Sequence, residues 1–206
     1  MAPRERILES AARVFGQHGF RLASMELVAQ EAGLTRQALY HHFPSKEAMF
    51  RAVVEAVYED AFEAERQAGL SAQMAGKDLA DVLVAQLEAR FRYLFDLIKG
   101  SAQFDELMSE HQRQTRDLNQ AFIDRKLSLT AAAVERALAG GEIALREGVA
   151  PIELARSIEL AAHGLDLKKA GANLIADLER SVRLMIAGAL ASAPEAAGRR
   201  RSRRLP

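Results

Sequence analysis

The sequence predicts an all-α protein, with an N-terminal three-helix domain containing a helix-turn-helix followed by a larger helical domain. Three observations carry that expectation. Apolar residues recur at the 3.6-residue helical period in almost every segment. Runs of alternating β-branched residues bounded by turn signals are missing. Glycine, proline and hydroxyl residues punctuate the chain at helix-length intervals.

Ile7, Ala11, Val14 and Phe15 put one apolar stripe on a first helix, expected over about residues 4 to 18 and ending at His18 and Gly19. Ser24 suits the N-cap of a second, short helix with Leu27, Val28 and Ala32 inward, and Gly33 follows where a tight turn needs a residue tolerant of positive φ. Thr35 opens a third helix that Phe43 and Pro44 stop. Ser45 caps a long helix to about Gly69, with Met49, Val53, Ala56 and Val57 on one side. Further helices are expected from about Lys77 to Lys99, from about Arg113 to Ala139, and near 151–169 and 172–191, with Gly140, Gly141, Gly148 and Pro151 marking the breaks. Residues 192–206 lack an apolar period and are expected to be a disordered tail. The expected division is therefore 1–47, 48–191 and 192–206.

A chain of 206 residues that is 49% hydrophobic has ample material for a core. It contains no cysteine, which removes disulfide frameworks, zinc ribbons and thiol catalysis. Charged amphipathic sequence at the start and the lack of a long apolar run read as a soluble, cytoplasmic protein without membrane contact. Net charge is zero, but five arginines between Arg199 and Arg204 leave 23 of the 28 basic residues against all 28 acidic ones. The body is acidic and the tail basic, so nucleic-acid binding finds support only in local distribution.

That distribution favours the third helix. Val28, Leu34 and Leu39 serve as apolar pegs, leaving the helix's outward side free to enter a major groove. No acidic residue stands between Glu31 and Glu47. Arginine pairs with guanine O6 and N7 and glutamine with adenine N6 and N7, so Arg36 and Gln37 are the expected base readers, joined by Tyr40. Ser24, Thr35, His41 and His42 are expected to contact the DNA backbone. Lys46 joins them, because a cation in the first turn of a helix opposes the macrodipole and an external phosphate reverses the sign. Tyr40 has a second placement compatible with the sequence, packed on the first helix with its hydroxyl exposed.

From Ser24 to Phe50 the chain resembles the TetR family of transcriptional regulators. The likeness rests on Ala29, Ala32-Gly33, Thr35, Leu39-Tyr40, His42-Phe43 and Ser45-Lys46-Glu47. Many members carry glycine at the position of Gln37, so its reading role rests on chemistry alone. A weaker likeness covers Gly140-Gly141-Glu142 to Asp166. The resemblance implies a C-terminal helical domain for effector binding and dimerisation, its last two helices pairing in a four-helix bundle. Leu154, Ile158, Ala162 and Leu165, with Ile175, Leu178, Val182 and Ile186, form stripes suited to such a dimer face. A two-fold dimer implies a palindromic operator in double-stranded DNA, with half-sites ~34–36 Å apart.

The aromatic group Phe91, Tyr93, Phe95, Phe104 and Phe122, with His163, fits either a core or a pocket for a small apolar effector. His111 and His163 are either ordinary packed or surface histidines or polar contacts of such a pocket, and the adjacent His41 and His42 point in different directions, so no metal site and no cofactor are expected. The arginine tail is either a neutral terminus or a source of sequence-independent phosphate contacts. The expected protein is a sequence-specific repressor released by an effector and not an enzyme, since no nucleophile–base pair or phosphate loop stands out. The competing reading is an architectural, low-specificity DNA-binding protein.

Overall fold

Three hydroxyl caps set the N-terminal architecture. Ser24 Oγ accepts from Leu27 N at 3.2 Å, Thr35 Oγ1 from Ala38 N at 3.2 Å, and Ser45 Oγ from Ala48 N at 3.1 Å. Each satisfies an amide that the first turn of a helix leaves open. The computed structural model describes residues 3–98, 101–163 and 174–191. Among them run α1 (Pro3–Leu22), α2 (Met25–Glu31), α3 (Arg36–His42), α4 (Lys46–Met74), α5 (Leu79–Ile98), α6 (Phe104–Gln114), α7 (Arg116–Ala139), α8 (Pro151–His163) and α9 (Leu174–Ala189). The described part is all-α, and none of its helices is long and apolar enough to cross a membrane.

α1 continues to Leu22, but its helical path breaks at Gly19 (φ 73°, ψ 172°), the residue expected to end it. Gly33 (φ 67°) makes the turn between α2 and α3, where Leu34 N donates to Ala29 O at 2.8 Å. The expected helix from about Arg113 begins instead at Arg116, and a separate helix, α6, precedes it. α6 escaped the sequence reading because its apolar stripe of Phe104, Leu107 and Met108 is short, and no α6 residue is fully buried.

Two apolar cores result. The first gathers Ile7, Ala11, Val14 and Phe15 of α1 with Val28, Leu39 and Met49. The rings of Phe15, Phe20 and Phe50 meet one another at centroid distances of 5.1–5.9 Å. The second packs Leu83 and Leu87 of α5 against Val134 of α7, Ile158 of α8 and Val182 of α9. Each such side chain contributes about 1.5–3 kcal/mol by leaving water. α4 belongs to both: Met49 to Val57 join the first core and Ala72 packs on the second. The first core thus runs past residue 47, the expected boundary.

The stripes expected to face a dimer partner are largely covered within the chain. Leu154, Ile158, Ala162, Leu178, Val182 and Ile186 are all under 9% exposed within the single chain, where α8 and α9 pack on α7 and α5. A helical stripe shows that a face is buried but not by what. Ile175 is half-buried, while Leu165 and the tail 192–206 lie outside the described residues. The Gly140-Gly141 turn brings Glu142 Oε1 to within 2.6 Å of Leu79 N, capping α5, and the following loop ties to the end of α9 through Arg146 N and Ala189 O.

Candidate nucleic-acid interface and adjoining cavity

α3 is fastened by one buried side chain, Leu39, at 0% exposure. Thr35, Arg36, Gln37, Tyr40, His41 and His42 all remain exposed. The structure therefore brings the sequence-derived readers onto one short helix at the surface. Tyr40 is 40% exposed and lies beneath Arg36, whose guanidinium carbon is 5.4 Å from the ring centroid, and Arg36 Nη2 donates to its hydroxyl at 3.5 Å. Ser24 and Thr35 point their hydroxyl oxygens at their own helices as caps. His41 and His42 join no cluster of three or more metal-ligating residue types among the described residues.

Two expectations change in this region. The acid-free interval from Glu31 to Glu47 is a gap along the chain but not in space, since Glu26 in the first turn of α2 pairs with Arg36 (Nη1 to Oε1, 2.5 Å). Lys46 finds its acceptors inside the chain. Its ammonium donates to the carbonyls of Phe20 (2.8 Å), Ala23 (3.0 Å) and Arg21 (3.3 Å), and sits 4.5 Å from the Phe20 ring centroid. Those carbonyls belong to the frayed end of α1, whose dipole favours a cation, and this offsets the unfavourable place of Lys46 at the start of α4. The three donors of an ammonium are thereby occupied, and Lys46 stitches α4 to α1 instead of reaching outward.

A cavity of about 550 Å³ lies between the first core and the second. Phe15 of α1, Val57 of α4, Phe91 and Leu94 of α5, Phe104 of α6 and Phe122 of α7 give it apolar walls. Of the aromatic set named from sequence, Phe91, Phe104 and Phe122 line it, as does His163. Tyr93 and Phe95 do not; the Tyr93 hydroxyl donates to Asp60 Oδ2 at 3.1 Å on the outside of the α4–α5 pair.

Beyond His111 and His163, the polar part of the wall has no signature in the sequence. Tyr58 donates to Asn119 Oδ1 (3.0 Å) and its oxygen lies 2.9 Å from His111 Nε2, while His111 Nδ1 is 2.5 Å from Thr115 Oγ1. The Thr115 hydroxyl also donates to His111 O at 2.7 Å, so Thr115 holds both the ring and the backbone of His111. Burial pushes the Tyr58 phenol above its ordinary range and His111 below it, so His111 is neutral near pH 7. Deeper, Arg90 Nη1 bridges Glu65 (3.1 Å) and Glu159 (3.0 Å), Thr130 donates to Glu159 at 2.9 Å, and Lys126 Nζ lies 3.7 Å from Glu159. Glu65 is 0% exposed; burial pushes its carboxyl up to about 7, against the pull of Arg90. Burial first, and then repulsion by Arg90, lowers Lys126. These four charges come from four helices, and no local motif announces them.

The family model described as bacterial regulatory proteins, tetR family, matches residues 7–53, the stretch that builds the first core and α3. Among curated proteins, an HTH-type transcriptional repressor of Mycobacterium tuberculosis, Rv1474c, is 29% identical over 140 residues, covering 66% of this chain and 64% of that protein. The Bacillus subtilis HTH-type transcriptional regulator YerO is 32% identical over 88 residues, covering 43% of this chain and 30% of its own length. The chain thus spans less than two thirds of the length of these relatives. Among solved structures, SmeT, the repressor of the Stenotrophomonas maltophilia multidrug efflux pump SmeDEF, superposes with a TM-score of 0.61 at 26% identity, covering 94% of this chain and 93% of its own. A complex of SmeT with triclosan superposes with the same score. The N-terminal match, the helix-turn-helix built by Ser24, Gly33 and Thr35, and the likeness along nearly the whole fold agree: residues 7–53 carry the N-terminal domain of the tetR family of bacterial regulatory proteins, in a chain whose fold is like that of SmeT.

Proposed function

We propose that this protein is a transcriptional repressor that binds a palindromic operator as a homodimer and releases it when a small, largely apolar effector enters the cavity. The observation that carries the reading is the row Arg36, Gln37, Tyr40 and His41, exposed on a helix whose opposite side is anchored by the fully buried Leu39. Arg36 and Gln37 have the donors and acceptors that tell base pairs apart. Thr35 and His42 flank them as backbone contacts.

Effector release has a physical route. Glu106 at the start of α6 accepts from Arg21 N at 2.7 Å, and its carboxylate fills the space beside Gly19 where α1 breaks. The same helix walls the cavity with Phe104, Leu107 and Met108. A ligand that displaces α6 acts on the junction from which α2 and α3 hang. By linkage, operator DNA weakens effector binding by the factor by which effector weakens operator binding.

Homodimerisation is supported by Leu160 of α8 and Leu184 of α9, which stand 66% and 67% exposed. The names of the relatives Rv1474c and YerO, which speak of transcriptional repression and regulation, support the repressor reading.

Selection of bound sequences from a random double-stranded DNA pool tests the proposal. A palindrome with half-sites about one helical turn apart is the expected recovery. Recovery of no consensus sequence favours an architectural protein of low specificity.

A further inference from the structure

Among the described residues, the ionisable side chains lining the cavity are Tyr58, Arg90, His111, Lys126 and His163, and no carboxylate lines it. Tyr58 and His111 are saturated by each other and by Asn119 and Thr115. Among the described residues, Arg90 and Lys126 are not. The hydrogen bonds of Arg90 all leave from Nη1, so its remaining guanidinium N–H groups are not spent on Glu65 or Glu159. Lys126 is 7% exposed, yet its closest carboxylate oxygen lies at 3.7 Å, beyond hydrogen-bonding reach, and its other neighbour is the Phe122 ring at 4.9 Å. An ammonium carries three donors, and leaving them unmet in an apolar site is costly.

Glu65 and Glu159 stand behind the two cations, outside the lining. They fix Arg90 in place, and among the described residues the charged groups facing the cavity are cationic. A cationic ligand meets like charge there, and a neutral one leaves the donors of Lys126 unfilled. The apolar walls at about 550 Å³ accept a drug-sized hydrophobic body.

We propose that the ligand of this cavity is an amphipathic carboxylic acid, bound as its anion, with the carboxylate at Arg90 and Lys126 and the apolar body against Phe91, Phe104 and Phe122. The proposal rests on the effector reading above and narrows it to a chemical class. Arg90 and Lys126 are binding residues in it, and the glutamates position them.

The test uses the full chain at pH 8 with Nile red, a neutral dye that brightens in apolar cavities, and two pairs of competitors: dodecanoate with dodecanamide, and 1-naphthaleneacetate with its amide. Dodecyltrimethylammonium supplies the opposite charge. The expected result is that Nile red is taken up and that at least one acid displaces it at a concentration roughly tenfold or more below its amide. The ammonium compound is expected to be the weakest of the dodecyl series. Lys126→Met is expected to bring the acid to the level of its amide while Nile red uptake persists. If the variant does not fold, the acid-to-amide ratio in the unaltered chain decides alone. Equal displacement by acid and amide, stronger displacement by the ammonium compound, or displacement by neither acid at millimolar concentration overturns the carboxylate proposal and leaves the cavity reading standing. Absence of Nile red uptake together with absence of displacement overturns both.

Discussion

Arg36 Nη1 lies 2.5 Å from Glu26 Oε1, so the arginine best placed to read a base is held by a carboxylate one helix away. To reach guanine it must exchange one partner for another, and Glu26 must give up its own. Glu26→Gln is expected to raise affinity for operator and non-operator DNA alike by a few-fold, because it removes both the competitor and a charge that repels phosphate. Arg36→Ala is expected to cost roughly tenfold in preference for operator over scrambled DNA. Fluorescence anisotropy on the two DNAs measures both, and an unchanged operator preference in Arg36→Ala removes Arg36 from the reading set.

Lys46 offers a sharper choice. As the stitch to Phe20, Arg21 and Ala23, its loss in Lys46→Met is expected to cost about 2 kcal/mol of stability, the scale of hydrogen bonds to a charged group. A phosphate contact predicts instead that the salt dependence of DNA binding falls by about one unit of slope. Urea unfolding and a salt titration separate these outcomes, and the structure favours a changed midpoint with an unchanged slope.

Burial sets the pH response of Glu65. Its carboxyl is raised from 4.5 to about 7 in the folded chain, so between those values the folded state holds a proton that the unfolded state has lost. This contribution to stability is fully present below about pH 4.5 and is lost as pH rises through about 7. His111, lowered by burial, slopes the other way below 6.5, but does so in the variant too. The urea midpoint of the unaltered chain is expected to fall relative to Glu65→Gln between pH 5 and pH 8. Parallel curves remove Glu65 as a buried titrating group.

α4 and α5 come close together at Gly69. A Cβ there stands 2.5 Å from Gln86 Nε2 and 2.7 Å from its Cγ, and Gln86 is itself 2% exposed with an unpaired Oε1 among the described residues. Gly69→Ala is expected to destabilise by about 1–3 kcal/mol through overpacking. Combining it with Gln86→Ala is expected to cost less than the two singles added, the mark of direct contact in a double-mutant cycle.

Leu184 tests the proposed dimer surface without touching the core. Leu184→Glu places a charge on the exposed side of α9. It is expected to shift sedimentation from dimer toward monomer with the far-ultraviolet circular dichroism unchanged. A dimer of undiminished stability places the contact elsewhere.

The parts of this protein legible in its sequence are those governed by neighbours in the chain. Ser24, Thr35 and Ser45 cap the helices they precede, and Gly19 and Gly33 adopt the positive φ their places require. What the sequence hides is closure in space. Lys46 is recognisable as a misplaced cation, but its carbonyl partners lie 23 to 26 residues earlier. Arg90 meets Glu65 across 25 residues and Glu159 across 69, with no spacing that marks the set. α8 and α9 show their stripes plainly, but a period does not say whether the covering surface is another helix of the chain or another chain.

The passage of α4 from one core into the other has a thermodynamic consequence. The N-terminal head has no complete apolar interior without Met49, Phe50 and Val53, and those residues sit on a rod whose far end packs on the second core through Ala72. Melting the head strips the first turns from that rod, and melting the body frees its far end. The two regions are thereby bound into one cooperative unfolding transition, in which damage to either is registered in the midpoint of both.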